Sequence, residues 1–158
     1  MEARYSTVEV AVATEATDEV LAAFSRLIPQ LSSSAPVIDR SALAEIIAAP
    51  CNTLLLARDR ADHGKIIGVL TLVVFRTPTA SRAWIEDVVV DASARGRGAG
   101  ELLTKEAMRL AAERGAQTID LTSRHTREAA RRLYERAGFT IRETNVYRYV
   151  VPRREGDR

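Results

Sequence analysis

The chain has 158 residues, 46% of them hydrophobic and 28% charged, which suits one globular domain with a buried core and excludes a low-complexity or disordered chain. Lysine and arginine number 23 against 21 acidic residues, so the formal net charge is only +2; with the arginines concentrated in the second half, this favours a small anionic ligand over a polyanion. Cys51 is the only cysteine, the N-terminus carries acidic Glu2 and Glu9 with no apolar run of signal-peptide length, and no stretch approaches ~18 consecutive apolar residues, so we expect a cytoplasmic protein with no intrachain disulfide and no membrane span.

Valine-rich alternation from Thr7 to Ala13 predicts a first strand. Val20, Leu21, Phe24, Leu27 and Ile28 then recur at helical spacing, with Thr17 or Asp18 placed to cap the helix and Pro29 to interrupt it. After the Ser32–Pro36 loop, Asp39 or Ser41 opens a short helix through Leu43, Ile46 and Ile47 that ends before Pro50. Thr53 to Ala57 and the β-branched run Lys65 to Phe75 read as a hairpin across the polar turn Asp59 to Gly64, and Trp84 to Val90 as a fourth, mostly apolar strand. Leu103, Ala107, Leu110 and Ala111 form one stripe of a helix that stops near Gly115; Thr118 to Thr122 is a fifth strand; Arg127 to Ala137 is a helix closed by Gly138. Phe139 to Glu143 and Val146 to Val151 predict two last strands, and Arg153 to Arg158 a charged tail. The order β-α-α-β-β-β-α-β-α-β-β implies a mixed α/β domain over residues 1–152, with a twisted sheet of six to seven strands and helices on both faces.

Between the fourth strand and the third helix lies Arg95-Gly96-Arg97-Gly98-Ala99-Gly100. A glycine-rich turn leading into a helix start presents backbone N–H groups and the positive end of the helix dipole, which together make a phosphate cradle; the two arginines add charge suited to phosphate oxygens. Taken alone, the glycines are equally well explained by a tight strand-to-helix turn. Some thirty residues on stands Leu133-Tyr134-Glu135-Arg136-Ala137-Gly138-Phe139. With both motifs in this element order, the chain from Thr7 to Val151 resembles the GNAT superfamily of N-acetyltransferases. Arg95, Gly98 and Gly100 meet its Arg/Gln-x-x-Gly-x-Gly/Ala pyrophosphate motif, and Tyr134, Gly138 and Phe139 its Tyr-x-x-x-Gly-Phe signature.

The resemblance implies acetyl-CoA as cosubstrate, lying in a wedge where the parallel fourth and fifth strands splay apart. It assigns the backbone groups of Val88 and Val90 to the pantetheine amides, and Arg95 with the N–H groups of Arg97, Gly98, Ala99 and Gly100 to the pyrophosphate. Acetyl transfer to an amine needs a neutral amine, stabilisation of the developing oxyanion and a proton for the thiolate. Tyr134 matches the family position commonly assigned as general acid, and Glu86 is the candidate general base, with Asp87 as competitor; a plain ion pair is as good a reading for either carboxylate. Facing cannot be settled by counting, because the family often has a bulge in this strand. Arg127 stands where the family often has Asn, so that contact with the cofactor's arm is in question; Arg127 is a candidate to reach a cofactor phosphate instead, while the default reading of this helix is a solvated charged face in which Glu128 pairs with Arg132 and Arg131 with Glu135. His125 lies at the end of the fifth strand and reads first as polar surface.

Two histidines and one cysteine make no zinc set, and neither a Gly-x-Ser-x-Gly elbow nor a Gly-x-x-x-x-Gly-Lys-Ser/Thr loop is present. What the resemblance implies is a metal-independent N-acetyltransferase acting on a small-molecule or peptide amine by direct attack in a ternary complex, without nucleic-acid or membrane partners. A non-catalytic acyl-CoA sensor of the same fold is the alternative, and a basic nucleic-acid-binding protein a more distant one. The sequence leaves open the acceptor and a homodimer through the last strands or an open sheet edge.

Overall fold

Alternation along the strands divides the apolar residues between two cores. In the computed structural model, which describes residues 7–152, β1 (Val8–Val12), β2 (Asn52–Asp59), β3 (Lys65–Arg76), β4 (Ser81–Val90) and β5 (Thr118–Asp120) form one sheet in that order. The first four strands are antiparallel neighbours, and β5 runs parallel to β4. Leu55, Leu70, Leu72 and Ile85 face one side, where α3 (Ala99–Glu113) supplies Leu103, Ala107 and Ala111. Leu54, Leu56, Val69 and Val89 face the other, covered by Val20, Phe24 and Leu27 of α1 (Asp18–Leu31) and Leu43 of α2 (Arg40–Ala48). The expected mixed α/β architecture with helices on both faces is thus observed.

Local chemistry explains the element ends. Thr17 caps α1 by accepting from the Val20 N–H at 3.3 Å, and Asp39 caps α2 by accepting from the Ala42 N–H at 2.8 Å. Pro29 does not interrupt α1, which continues to Leu31. Only Gln30 and Leu31 follow the proline in the helix, so the ladder loses a single bond there, and the Ser32 N–H still donates to the Ile28 carbonyl at 2.9 Å. At the chain's far end, α4 (Glu128–Ala137) stops at Gly138, whose φ of +100° is the left-handed conformation that ends helices.

The sheet has five strands among the described residues, where six to seven were expected. Phe139–Glu143 and Val146–Val151 are not strands, and Ile141, Val146, Tyr147, Tyr149, Val150 and Val151 are all exposed. Alternation and β-branching describe a fit to a pleated, half-buried surface, not a backbone preference that survives without a neighbour. No described strand pairs with these residues, and β5 itself is three residues long where five were predicted. The tail expected over 153–158 lies outside the described residues.

The glycine loop is positioned by α3, because the first turn of this helix abuts the loop and its apolar stripe sets its height above the sheet. Leu103 is fully buried, and a Cβ built on Gly68 of β3 would lie 3.3 Å from Leu103 Cδ1. The missing side chain at Gly68 is what lets the helix settle that closely. We expect Leu103→Ala to cost about 2–5 kcal/mol of unfolding free energy in urea titration, through lost burial plus the cavity left behind; a loss under about 1 kcal/mol would mean that α3 is not clamped to the sheet in this way.

Candidate functional site

The site is built on an inequality in β4. Its β3 edge is paired along nearly its whole length, but its β5 edge is paired only at Arg82, Ala83 and Trp84, with Thr118, Ile119 and Asp120 opposite. From Ile85 onward β4 has no β5 partner, and the two parallel strands part. A cleft of about 730 Å³ opens there, walled by Val88, Val89 and Val90, by residues 94–101, by Thr104, and by α4 and the residues just before it.

A bulge decides which β4 side chains reach this cleft. Thr71 pairs with Glu86 and Val69 with Val89, so Asp87 and Val88 together oppose the single residue Leu70, and Asp87 takes φ +49°. Aspartate is one of the few residues that visit the left-handed region without a large penalty. The extra residue breaks the alternation. Ala83 and Ile85 pack on the α3 side, and after the bulge Val88 and Val90 do so again, while Val89 packs against α1. Trp84 and Glu86 lie opposite Val73 and Thr71 on the α1–α2 side. There the Trp84 indole N–H donates to Glu86 Oε1 at 2.6 Å.

The loop from Asp91 to Gly98 leads into α3. Asp91, 7% exposed, accepts from the Ser93 N–H at 3.1 Å and the Ser93 hydroxyl at 2.9 Å, and pairs with Arg26 of α1. Arg26 also donates to the Ile66 carbonyl at 2.6 Å. Burial pushes the Asp91 carboxyl upward, but the Ser93 donors and the Arg26 charge outweigh it and hold the group below the usual carboxylate range. Ala94 and Ala99 are buried at either end of the turn. Gly98 is the N-cap of α3 at φ +83° and, having no side chain, caps nothing. The helix start therefore faces the cleft with backbone donors and the dipole's positive end.

On the opposite wall, α4 comes close at Gly100, where a Cβ would lie 3.1 Å from Leu133 Cδ1. One residue on, Tyr134 lines the cleft and packs edge-on against Phe139, ring centroids 5.8 Å apart. Burial raises the Tyr134 phenol above its ordinary value, and the charge of Arg127 pulls it part of the way back. Arg127 is the N-cap of α4 and also lines the cleft. The charged outer face of α4 carries Glu128–Arg132 and Arg131–Glu135 at 3.9 and 3.7 Å, the spacing-of-four pairs expected.

Of the residues singled out from the sequence, the structure brings Val88, Val90, Arg95, Arg97, Gly98, Ala99, Gly100, Arg127 and Tyr134 around one cleft. Glu86 is not among the lining residues; it sits across the bulge with Trp84, and Asp87 is exposed beside it. His125 is exposed. Sequence reasoning passed over Asp59, Asp91, Arg26 and Trp84. Asp91 carried a readable signal, since Asp-x-Ser before a turn is a side-chain-to-backbone capping pattern; Arg26 sits at helical spacing among apolar residues, where nothing local marks a partner 65 residues away. Among the described residues no group of three or more His, Cys, Asp or Glu could hold a metal ion, and no helix is long and apolar enough to cross a membrane.

Residues 18–139 match the Acetyltransferase (GNAT) family, and the chain belongs to it. It is 32% identical over 102 residues to glucosamine 6-phosphate N-acetyltransferase 1 of Oryza sativa subsp. japonica, a match covering 61% of this chain and 62% of that protein, so the chain spans less than two thirds of this curated relative's length. Among solved structures it is similar in fold to an acetyltransferase of Trypanosoma brucei, with TM-score 0.75, 24% identity and coverage of 90% of this chain and 99% of that one. It is also similar to an aminoglycoside acetyltransferase from an uncultured soil metagenomic sample, with TM-score 0.78, 18% identity and coverage of 93% and 97%.

The electrostatics of the cleft give a direct test. Arg127→Gln removes the charge that opposes burial, so the Tyr134 phenol should titrate at higher pH than in the wild type. Ultraviolet difference titration, with Tyr134→Phe to isolate its signal, reads this; no upward movement would separate the two groups. The stability sign follows from the raised folded value: the contribution of neutral Tyr134 is complete below the usual tyrosine pKa of about 10 and is lost as pH rises through the higher folded value.

Proposed function

We propose that this acetyltransferase-family chain transfers an acetyl group from acetyl-CoA to the nitrogen of a primary amine, by direct attack within a ternary complex. The observation that carries the reading is the parting of β4 from β5 directly above the uncapped start of α3. A polar, extended chain can lie along the open backbone edge at Val88 and Val90 as a further strand would, and a pyrophosphate can end on the amides of Arg97 to Gly100. The residues present therefore fit the group. Acetyl-CoA supplies the thioester, whose acyl carbon is attacked by the neutral amine and whose sulfur leaves as a thiolate.

The chain's own residues then have distinct roles. Val88 and Val90 orient through backbone groups, the loop with Arg95 and Arg127 offsets the phosphate charge, and Tyr134 holds a proton at its phenol oxygen for the departing sulfur. A phenol raised by burial keeps that proton across the neutral range. Glu86, held by the Trp84 indole on the other side of the bulge, accepts the amine's proton, directly or through water, so donor and acceptor approach β4 from opposite faces. Glu86 and Asp87 also place negative charge where a cationic amine would arrive. The rice relative is named for an amino sugar phosphate and the metagenomic neighbour for aminoglycosides, which makes amino sugars the first acceptors to screen here. We read the enzyme as cytoplasmic.

Calorimetry with CoA and an amine screen reporting free thiol test the proposal together. We expect CoA binding in the wild type and its loss in a folded Gly98→Val, because the φ of +83° disfavours a β-branched residue. Absence of CoA binding refutes the reading, and binding without turnover on any amine points to a sensor. Tyr134→Phe should lower kcat about 10²-fold or more with CoA affinity held; an unchanged kcat removes Tyr134 as the acid.

A further inference from the structure

The two arginines of the glycine turn have different surroundings. Arg95 is exposed at the rim of the cleft. Arg97, between Gly96 and Gly98 with φ +78° and +83°, directs Nη2 to within 2.6 Å of Asp59 Oδ2. Asp59 is the last residue of β2, remote in sequence, and is only 2% exposed. Its other carboxylate oxygen accepts from the Ala61 N–H at 3.1 Å, and its backbone carbonyl accepts from the Gly64 N–H at 2.9 Å. It is thus fixed to the β2–β3 turn before it meets Arg97. A carboxylate this deep has to be paired, since burial of a lone charge is costly, and its ion pair is with the glycine turn.

Asp59 and Asp91 are the two buried carboxylates among the described residues, and they hold the loop from its two sides. Asp91 anchors the start through Ser93 and Arg26, and the Asp91 N–H donates to the Ile67 carbonyl at 2.8 Å. Asp59 anchors the protruding part, residues 95–98, which neither apolar core includes. With Nη2 at 2.6 Å from a buried carboxylate, the Arg97 guanidinium cannot turn wholly to an incoming phosphate without leaving that carboxylate unpaired.

Resting on the reading of the cleft as a coenzyme A site, we infer that Asp59 is a positioning residue that latches the glycine turn through Arg97, so that Arg97 serves phosphate binding by ordering the loop amides and not as a phosphate ligand. The latch sets the turn before any ligand arrives, which cuts the ordering cost of binding. It also lowers the net charge the turn presents, leaving Arg95 and the amides to meet the anion.

The test compares wild type, Asp59→Asn, Arg97→Gln, the double variant and Arg97→Lys by two readouts: deuterium exchange of amides 96–100 in the ligand-free protein, and CoA affinity by calorimetry. Each single substitution should speed exchange and weaken CoA by roughly fivefold or more, and the double variant should be no worse than the worse single, because both break one interaction. Arg97→Lys keeps a cation for Asp59 and should fall nearer the wild type. Should Asp59→Asn alone fail to fold, Arg97→Gln against the double variant carries the same comparison. Weakened CoA binding in Arg97→Gln with loop exchange unmoved, or losses that add in the double variant, would make Arg97 a direct ligand and overturn the latch. A wild type that does not bind CoA overturns the cofactor reading instead, and the exchange measurements still decide the latch.

Discussion

β4 is a strand held unequally at its two edges. Along one it is tied to β3 down to Gly68 and Val90, and along the other β5 accompanies it for three residue pairs and then stops. A strand inside a sheet with an open edge has backbone donors and acceptors that must be met by something other than a neighbouring strand. Here that edge looks into a cleft whose floor is the start of α3. The positions of α3 and α4 complete the arrangement: α3 is pressed onto the sheet by Leu103 and the absence of a side chain at Gly68, and α4 is set against α3 where Gly100 leaves room for Leu133. The wedge is therefore a consequence of packing on either side of it, and its own unusual backbone is confined to the glycine turn and the bulge at Asp87.

That turn is held by charge where the rest of the molecule is held by apolar packing. The ion pairs along the outer face of α4 are long and exposed, the kind that contribute little to stability. Those of Asp59 and Asp91 are different in kind, each a buried carboxylate that also accepts backbone N–H groups. Both draw their arginine or their backbone from elements distant in the chain, so the loop is registered against β2, β3 and α1 together.

Much of this was legible from the residues because periodicity and punctuation agree. Thr17, Asp39, Gly115 and Gly138 mark helix ends through their own chemistry, and the turn from Arg95 to Gly100 announces a helix start approached closely by something. Three features were not legible. The alternation of residues 139–151 predicts strands, but a strand needs a neighbour to pair with, and no residue in 139–151 encodes one. Pro29 reads as a stop, yet in a last turn it costs only one bond. The anchoring of the loop by Asp59, and the Arg26 partner of Asp91, were hidden because a carboxylate beside a polar turn looks like surface; its burial depends on what lies over it, and that is a property of the assembled fold.

The bulge at Asp87 has a consequence for how such a protein can change over generations. By inserting one residue, it shifts the alternation of β4, so that Trp84 and Glu86 look toward the α1–α2 side while Val88 and Val90, an even number of residues on, look toward the α3 side. A substitution at Trp84 or Glu86 alters the α1–α2 side and leaves the cleft wall at Val88 and Val90 chemically untouched. One strand thereby carries two independently heritable surfaces, and drift in the first need not be repaired in the second.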